Sequence, residues 1–221
     1  MTRKEFCSHM DHSCLGWICS RETVDRFCDE ALEYGFATVC VNPDQVAYCV
    51  SRLGGRVGVS CVVGFPQGFH STAIKIAEGL EAIDNGATDL DVVTNLSWLR
   101  DGRDDLIRAE YEAFVKAVRA KKPDTVIKII MYAPYGPADC LTEDETRRVA
   151  GMIVASGADY IKFCCDPKII KALVGDSIKM KFSGSYTLDI VMDALKTGCS
   201  RIGEESVPGW LQECGDDYWD K

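Results

Sequence analysis

The chain lacks most of what would make it a nucleic-acid or membrane protein. Basic residues are in deficit: 25 Lys and Arg stand against 34 Asp and Glu, a formal net charge of −9 over 221 residues. Such a chain has no field to attract a phosphate backbone or an anionic bilayer, so neither is an expected partner. No apolar run approaches the roughly 18 residues of a membrane span. The opening Met1-Thr-Arg-Lys-Glu-Phe-Cys7 is polar and has no leader-like apolar stretch, so a cytoplasmic protein is expected. The twelve cysteines, at 7, 14, 19, 28, 40, 49, 61, 140, 164, 165, 199 and 214, include no Cys-x-x-Cys. Zinc sites usually pair their ligands two to four residues apart, so no metal is expected and the cysteines read as reduced, buried thiols. A GxGxxG after the first strand is also missing, and Gly54-Gly55 precedes a strand, the wrong order for a dinucleotide fold. No cofactor is implied.

What is present is an even alternation. Hydrophobic residues at 47% and charged residues at 27% are globular values that exclude wholesale disorder and collagen-like repeats. Short β-rich runs occur at Met10–Leu15, Thr38–Val41, Val57–Val63, Leu90–Val93, Val126–Met131, Tyr160–Cys164, Ile178–Phe182 and Arg201–Gly203. Helical patterns lie between them at Arg21–Tyr34, Pro43–Arg52, Thr72–Asn85, Asp104–Ala120, Thr142–Ser156, Pro167–Leu173 and Leu188–Lys196. Thr142-Glu-Asp-Glu is a capping box, and Gly35, Gly86, Gly157 and Gly198 each stand where a helix would stop. Eight strands with intervening helices predict a single (β/α)₈ barrel domain over residues 1–221, with a short tail from about 208. No composition shift or low-complexity stretch marks a linker.

Barrel strands are buried on both faces, so a charge within one needs a reason. Four such charges stand out: Asp91, Lys128, Lys162 and Lys181. By alternation Tyr160, Lys162 and Cys164 face one way, while Ile161 and Phe163 face the helices. Lys162 therefore points into the barrel, and the same parity sends Lys181 inward from the next strand. Neighbouring strands lie about 4.8 Å apart, so the two ammonium groups meet in a confined space. A desolvated lysine beside another cation loses its proton more readily, and only the neutral amine attacks a carbonyl. Lys162 then reads as a Schiff-base nucleophile, Lys181 as its neighbour and Asp91 as a proton carrier. The competing reading is an interior ion network, which suits Lys128 better than the other two. One acid does not easily neutralise two lysines, and that favours function for Lys162 and Lys181.

Several stretches resemble the 2-deoxyribose-5-phosphate aldolase family, from about Met10 to Ser206. They are Met10-Asp-His-Ser-Cys-Leu15, Glu33-Tyr-Gly-Phe-Ala-Thr-Val-Cys-Val-Asn-Pro43 and Val63-Gly-Phe-Pro-Gln-Gly68 with Ser71-Thr72 and Lys75. Further along come Asn85-Gly-Ala-Thr-Asp-Leu-Asp-Val-Val-Thr-Asn95, Gly157-Ala-Asp-Tyr-Ile-Lys162, Lys181-Phe-Ser-Gly184 and Ser200-Arg-Ile-Gly203. The resemblance implies a (β/α)₈ fold and a metal-free class I aldolase that joins acetaldehyde to glyceraldehyde 3-phosphate, or cleaves the product, through a lysine imine. It assigns Lys162, Lys181 and Asp91 to catalysis; Asp11, Cys40, Lys128, Gly184, Ser185, Gly203 and Glu204 are expected on the substrate side. It also implies a small aldehyde or sugar as the partner, and a homodimer or higher homo-oligomer.

The departures from the family pattern gather at one end. Lys162 is followed by Phe163-Cys-Cys-Asp-Pro167 where the family has Thr-Ser-Thr-Gly. The run Ser183-Gly-Ser-Tyr-Thr187 is one residue short and lacks an arginine, and Gly203 leads into Glu204-Glu205-Ser206-Val207. These loops cradle a phosphate in the family. Here either the carboxylates of Glu204, Glu205 and nearby Asp166 repel it, or Glu204 and Glu205 turn outward and leave the Gly184 and Gly203 amides to suffice. Met131 replaces a glutamate, and Tyr132–Cys140 is a longer loop, read either as a flap over the mouth or as surface decoration. His70 is a pocket wall, an acid or neither, and His12 reads as a packing residue. Tyr218 is either a C-terminal proton shuttle or part of an aromatic tail packed on a neighbouring subunit. Three functions fit: an aldolase, with a phosphorylated or an unphosphorylated acceptor; another imine reaction on Lys162; or a metabolite-binding barrel without catalysis.

Overall fold

Eight short parallel strands close on themselves in the computed structural model, which describes residues 1–132, 141–184 and 186–220 and, for Asp216, the backbone only. They are β1 (Met10–Ser13), β2 (Thr38–Val41), β3 (Gly58–Val63), β4 (Asp89–Val93), β5 (Val126–Ile130), β6 (Tyr160–Phe163), β7 (Lys179–Ser183) and β8 (Cys199–Glu204). Each pairs with its neighbours in sequence, and β8 closes on β1 with Asp11 level with Gly203. The predicted loop beyond Tyr132, Cys140 included, lies outside the described residues, as does Ser185.

Around the strands run α1 (Arg3–Ser8), α2 (Arg21–Tyr34), α3 (Val46–Leu53), α4 (Thr72–Asp84), α5 (Leu96–Arg100), α6 (Asp104–Lys121), α7 (Glu143–Ala155), α8 (Pro167–Val174), α9 (Leu188–Lys196) and α10 (Val207–Glu213). The caps are local sequence events. Ser20 accepts from the Thr23 amide at the start of α2, and Thr142 and Glu145 form the capping box of α7. Asp166 accepts from the Lys168 amide at the start of α8, with Pro167 in the first turn. None of the described helices is long and apolar enough to cross a membrane.

Strand parity sorts the core. Val39, Val41, Cys61, Val63, Ile127, Ile129, Ile161, Phe163, Met180, Phe182 and Ile202 pack outward against helical residues such as Phe27, Leu53, Phe114 and Val149. The opposite face of the strands fills the barrel with the charged and polar groups described below, together with Val62, Val93 and Ile130. Between the layers, buried Lys75 of α4 donates to Glu110 of α6 (2.6 Å) and to the Val93 carbonyl at the end of β4 (2.8 Å).

Some sequence expectations shift. The helix expected over Pro43–Arg52 divides into a 3₁₀ turn at Pro43–Gln45, with Pro43 at its start, and then α3. The short α1, α5 and α10 were not anticipated. The tail from about 208 begins inside α10, and beyond it Trp219 is buried against Phe6 of α1 with ring centroids 4.9 Å apart. Because α1 leads into the N-terminal end of β1, this contact ties the C-terminal segment to the end of the barrel opposite the strand exits.

Candidate active site

Inward-facing residues of all eight strands meet in one network. Lys162 Nζ of β6 donates to Asp91 Oδ2 at 2.7 Å, and Lys181 Nζ of β7 donates to the same oxygen at 2.8 Å. Register explains the meeting: Lys162 and Lys181 are directly paired, and Asp91 reaches across from β4. The other oxygen of Asp91 accepts from Ser60 of β3 at 3.0 Å. Lys181 also donates to Asp11 Oδ2 of β1 at 2.6 Å, and Asp11 Oδ1 accepts from Thr38 of β2 at 2.8 Å.

Lys128 lies deeper. It is level with Tyr160 in the register, two residues nearer the N-terminal end of β6 than Lys162. Its ammonium donates to Asp89 at 2.6 Å and lies 3.1 Å from Asp91 and 3.3 Å from Asp11. Arg201 of β8 stands 3.5 Å from Asp11. Lys128 and Lys181 are wholly enclosed, whereas Lys162 keeps 3% exposure.

This corrects one premise of the sequence argument, which set Asp91 alone against the lysines. Asp11, Asp89 and Asp91 face Lys128, Lys162, Lys181 and Arg201, so ionising every group leaves one cation in excess. Lys162, the one lysine of the three that keeps any exposure, is the one a small carbonyl compound could reach. Burial opposes every charge here. Even so, the lysines hold Asp11 and Asp91 well below the usual carboxylate range, and the carboxylates hold Lys128 and Lys181 above the ordinary lysine value.

The other predicted residues divide into two groups. Cys40 is buried in the barrel beside the network, and burial and then the Asp91 charge push its thiol up. Gly203 lies against Lys181: a Cβ there would stand 3.1 Å from Lys181 Cε and 2.9 Å from Ser183 Cβ. Gly184 donates its amide to the Gly203 carbonyl at 3.2 Å. Glu204 is 2% exposed and faces backbone amides, whereas Glu205 is exposed. His12 is a packing residue, stacked on Phe27 and 2.7 Å from Glu30, while His70 is exposed on the loop after β3. Asp89, Ser60 and Arg201 were missed. The rule that flagged the lysines, a charge within a strand, applies equally to Asp89 and Arg201.

No family model matches the chain. It is 33% identical over 227 residues to a deoxyribose-phosphate aldolase of Staphylococcus haemolyticus, covering 96% of this chain and 99% of that one. A deoxyribose-phosphate aldolase of Caldicellulosiruptor saccharolyticus is 33% identical over 218 residues, with 93% and 96% covered. The chain belongs to the deoxyribose-phosphate aldolase family. Among solved structures, QR15, an aldolase, matches with a TM-score of 0.80 at 29% identity, covering 96% of each chain. A deoxyribose phosphate aldolase of Aeropyrum pernix, at 23% identity, shares the fold with a TM-score of 0.79 over 95% of this chain and 94% of that one. Membership makes this barrel a class I aldolase, a carbon–carbon lyase.

Two outcomes are expected of this aldolase barrel. Carboxyls depressed by folding add stability above their unfolded value near pH 4, and that stability is lost as the pH falls below it. The raised lysines behave oppositely, adding stability below their unfolded value near 10.4 and losing it as the pH rises through their higher folded values. Asp11 and Asp91 together therefore contribute a slope of about 2.7 kcal/mol per pH unit to unfolding below about pH 4. Urea titrations at stepped acid pH check this; an equal slope in Asp11→Asn would show that the pair does not set it. Separately, Gly203→Ala is expected to cost about 1–3 kcal/mol by overpacking Ser183 and to lower kcat by pressing on Lys181. Thermal melts beside kinetics test it, and an unchanged kcat would remove Gly203 from the Lys181 environment.

Proposed function

We propose that this barrel cleaves and forms a 2-deoxyaldose by the reaction for which its relatives are named, with Lys162 as the imine-forming nucleophile. The amine of Lys162 attacks the aldehyde carbon of the open-chain sugar, and loss of water gives an iminium. Removal of the proton from the 3-hydroxyl lets the adjacent carbon–carbon bond break, with its electron pair passing into the iminium. A three-carbon aldehyde leaves, the enamine takes a proton on carbon, and water releases acetaldehyde and the free amine. Asp91 and Lys181 are the groups positioned to move these protons.

The observation that carries this reading is the single oxygen, Asp91 Oδ2, that accepts from both Lys162 and Lys181. A carboxylate there touches the nucleophile and a second ammonium at once, so a proton has a continuous path among the three. Lys128, enclosed by three carboxylates, holds the network together from below. We also infer a cytoplasmic homo-oligomer. Buried thiols suit a reducing compartment, and Ile169, Leu173 and Ile190 expose apolar surface on α8 and α9. Light scattering on the eluted protein tests the assembly. Reduction with borohydride in the presence of acetaldehyde tests the chemistry: an ethyl adduct on Lys162 is expected, and an adduct confined to other lysines would overturn the assignment.

A further inference from the structure

The loops after β7 and β8 are where many (β/α)₈ barrels bind a phosphate, using backbone amides and the start of a short extra helix. In this chain three of the amides in those loops are already taken by one side chain. Glu204 Oε2 accepts from the Tyr186 amide at 3.0 Å, and Oε1 accepts from the Glu205 amide at 2.8 Å and the Ser206 amide at 3.1 Å. One carboxylate thus ties the exit of β7 to the exit of β8. It is almost fully enclosed, so these bonds replace water rather than compete with it.

Tyr186 fixes the same arrangement from the other side. Its ring stacks on Phe182 at 4.3 Å, its hydroxyl donates to the Cys164 carbonyl at 2.7 Å, and it lies where a Cβ on Gly184 would come within 2.6 Å. The exits of β6, β7 and β8 are therefore bound to each other. The cation at the edge of these exits, Lys168 in the first turn of α8, is paired with Asp193 at 3.1 Å. Residues 163–167, 184–190 and 203–213 contain no Lys, Arg or His but carry Asp166, Asp189, Glu204, Glu205 and Glu213.

We infer that Glu204 is a specificity-determining residue that fills the anion position of the acceptor site, so that the aldehyde this enzyme joins to acetaldehyde is a short, uncharged hydroxyaldehyde rather than its phosphate ester. A phosphate dianion would have to displace Glu204 from three amides or sit beside its charge in a partly closed space. Like charges a few ångströms apart at a protein's effective dielectric correspond to a discrimination on the order of a hundredfold or more. A neutral chain end meets neither penalty. The inference rests on the aldolase reading above.

The test compares kcat/KM of the full-length enzyme for 2-deoxyribose and for its 5-phosphate, with inorganic phosphate as a separate inhibitor. The parent is expected to prefer the unphosphorylated sugar and to ignore inorganic phosphate. Glu204→Gly should free the amides, shift the ratio toward the phosphate ester by roughly a hundredfold, and make inorganic phosphate a competitive inhibitor. Glu204→Gln keeps the side-chain volume while removing the charge, and should move the ratio part of the way if the glycine variant folds poorly. Borohydride trapping of acetaldehyde on Lys162 reports on the aldolase reading without any acceptor. A trapped adduct together with a parental preference for the phosphate ester overturns this inference alone. So does a ratio unmoved by both substitutions. Absence of an adduct overturns the aldolase reading and this inference with it.

Discussion

Replacing Lys162 by leucine is expected to abolish aldol turnover, lowering kcat by at least about 10⁴-fold, while the barrel still folds. The loss follows from the role proposed for Lys162 as nucleophile, since of the three lysines in the network it alone keeps any exposure. The fold survives because Asp91 is not left alone: Lys181 still donates to the same oxygen and Lys128 stands 3.1 Å from the other. Leucine also removes the one excess cation, so the remaining three cations face three carboxylates. A buried charge-assisted hydrogen bond is lost, worth about 1.5–3 kcal/mol, and an apolar side chain of similar length offsets part of it. Kinetics, melting and acetaldehyde trapping measured together decide the matter. Turnover near the parental rate, or an adduct that persists at another lysine, would end the assignment.

Much of the architecture was legible because it rests on period and punctuation. The runs around Thr38–Val41, Arg21–Tyr34 and Leu188–Lys196 emerge with the bounds that their apolar spacing and flanking residues suggest. The short helices escaped because helices of five to seven residues carry too few turns for a periodic signal. Leu96–Arg100 is made by one cap, Asn95 accepting from the Ser97 and Trp98 amides, and by burial of Leu99. In the site, strand parity was enough to turn Lys162 and Lys181 inward, since the opposite face of each strand packs on apolar helices that offer an ammonium no partner. What parity does not give is who answers that charge across the barrel. Asp11 and Asp89 become partners of the lysines only when β8 closes on β1 and β4 registers against β5. The direction of Glu204 was open for the same reason. Whether a carboxylate at a strand exit turns in or out depends on which amides the neighbouring loop leaves unpaired, and Tyr186 supplies one of them only once β7 and β8 lie side by side.

Asp91→Asn is expected to damage stability and turnover together while sparing imine formation. The carboxylate accepts from Lys162 and Lys181 at one oxygen and from Ser60 at the other, with Lys128 also close. An asparagine offers a single carbonyl oxygen, and its amide nitrogen cannot face an ammonium, so at least one lysine loses its acceptor. Removing one partner from a buried pair costs about 3–5 kcal/mol, because the other charge is left without compensation. At about 2–4 °C per kcal/mol for a domain of this size, Tm should fall by roughly 6–20 °C. Losing the proton carrier should lower kcat by about 10²–10⁴-fold, the usual contribution of a positioned acid–base group. Lys162 is still present, so borohydride should continue to trap acetaldehyde on it. Adding Lys128→Met separates the two effects: removing one buried cation should restore much of the lost Tm, yet return none of the lost turnover. Recovery of the rate along with the stability would mean that Asp91 acts only by holding the network in shape, and that the proton travels by another route.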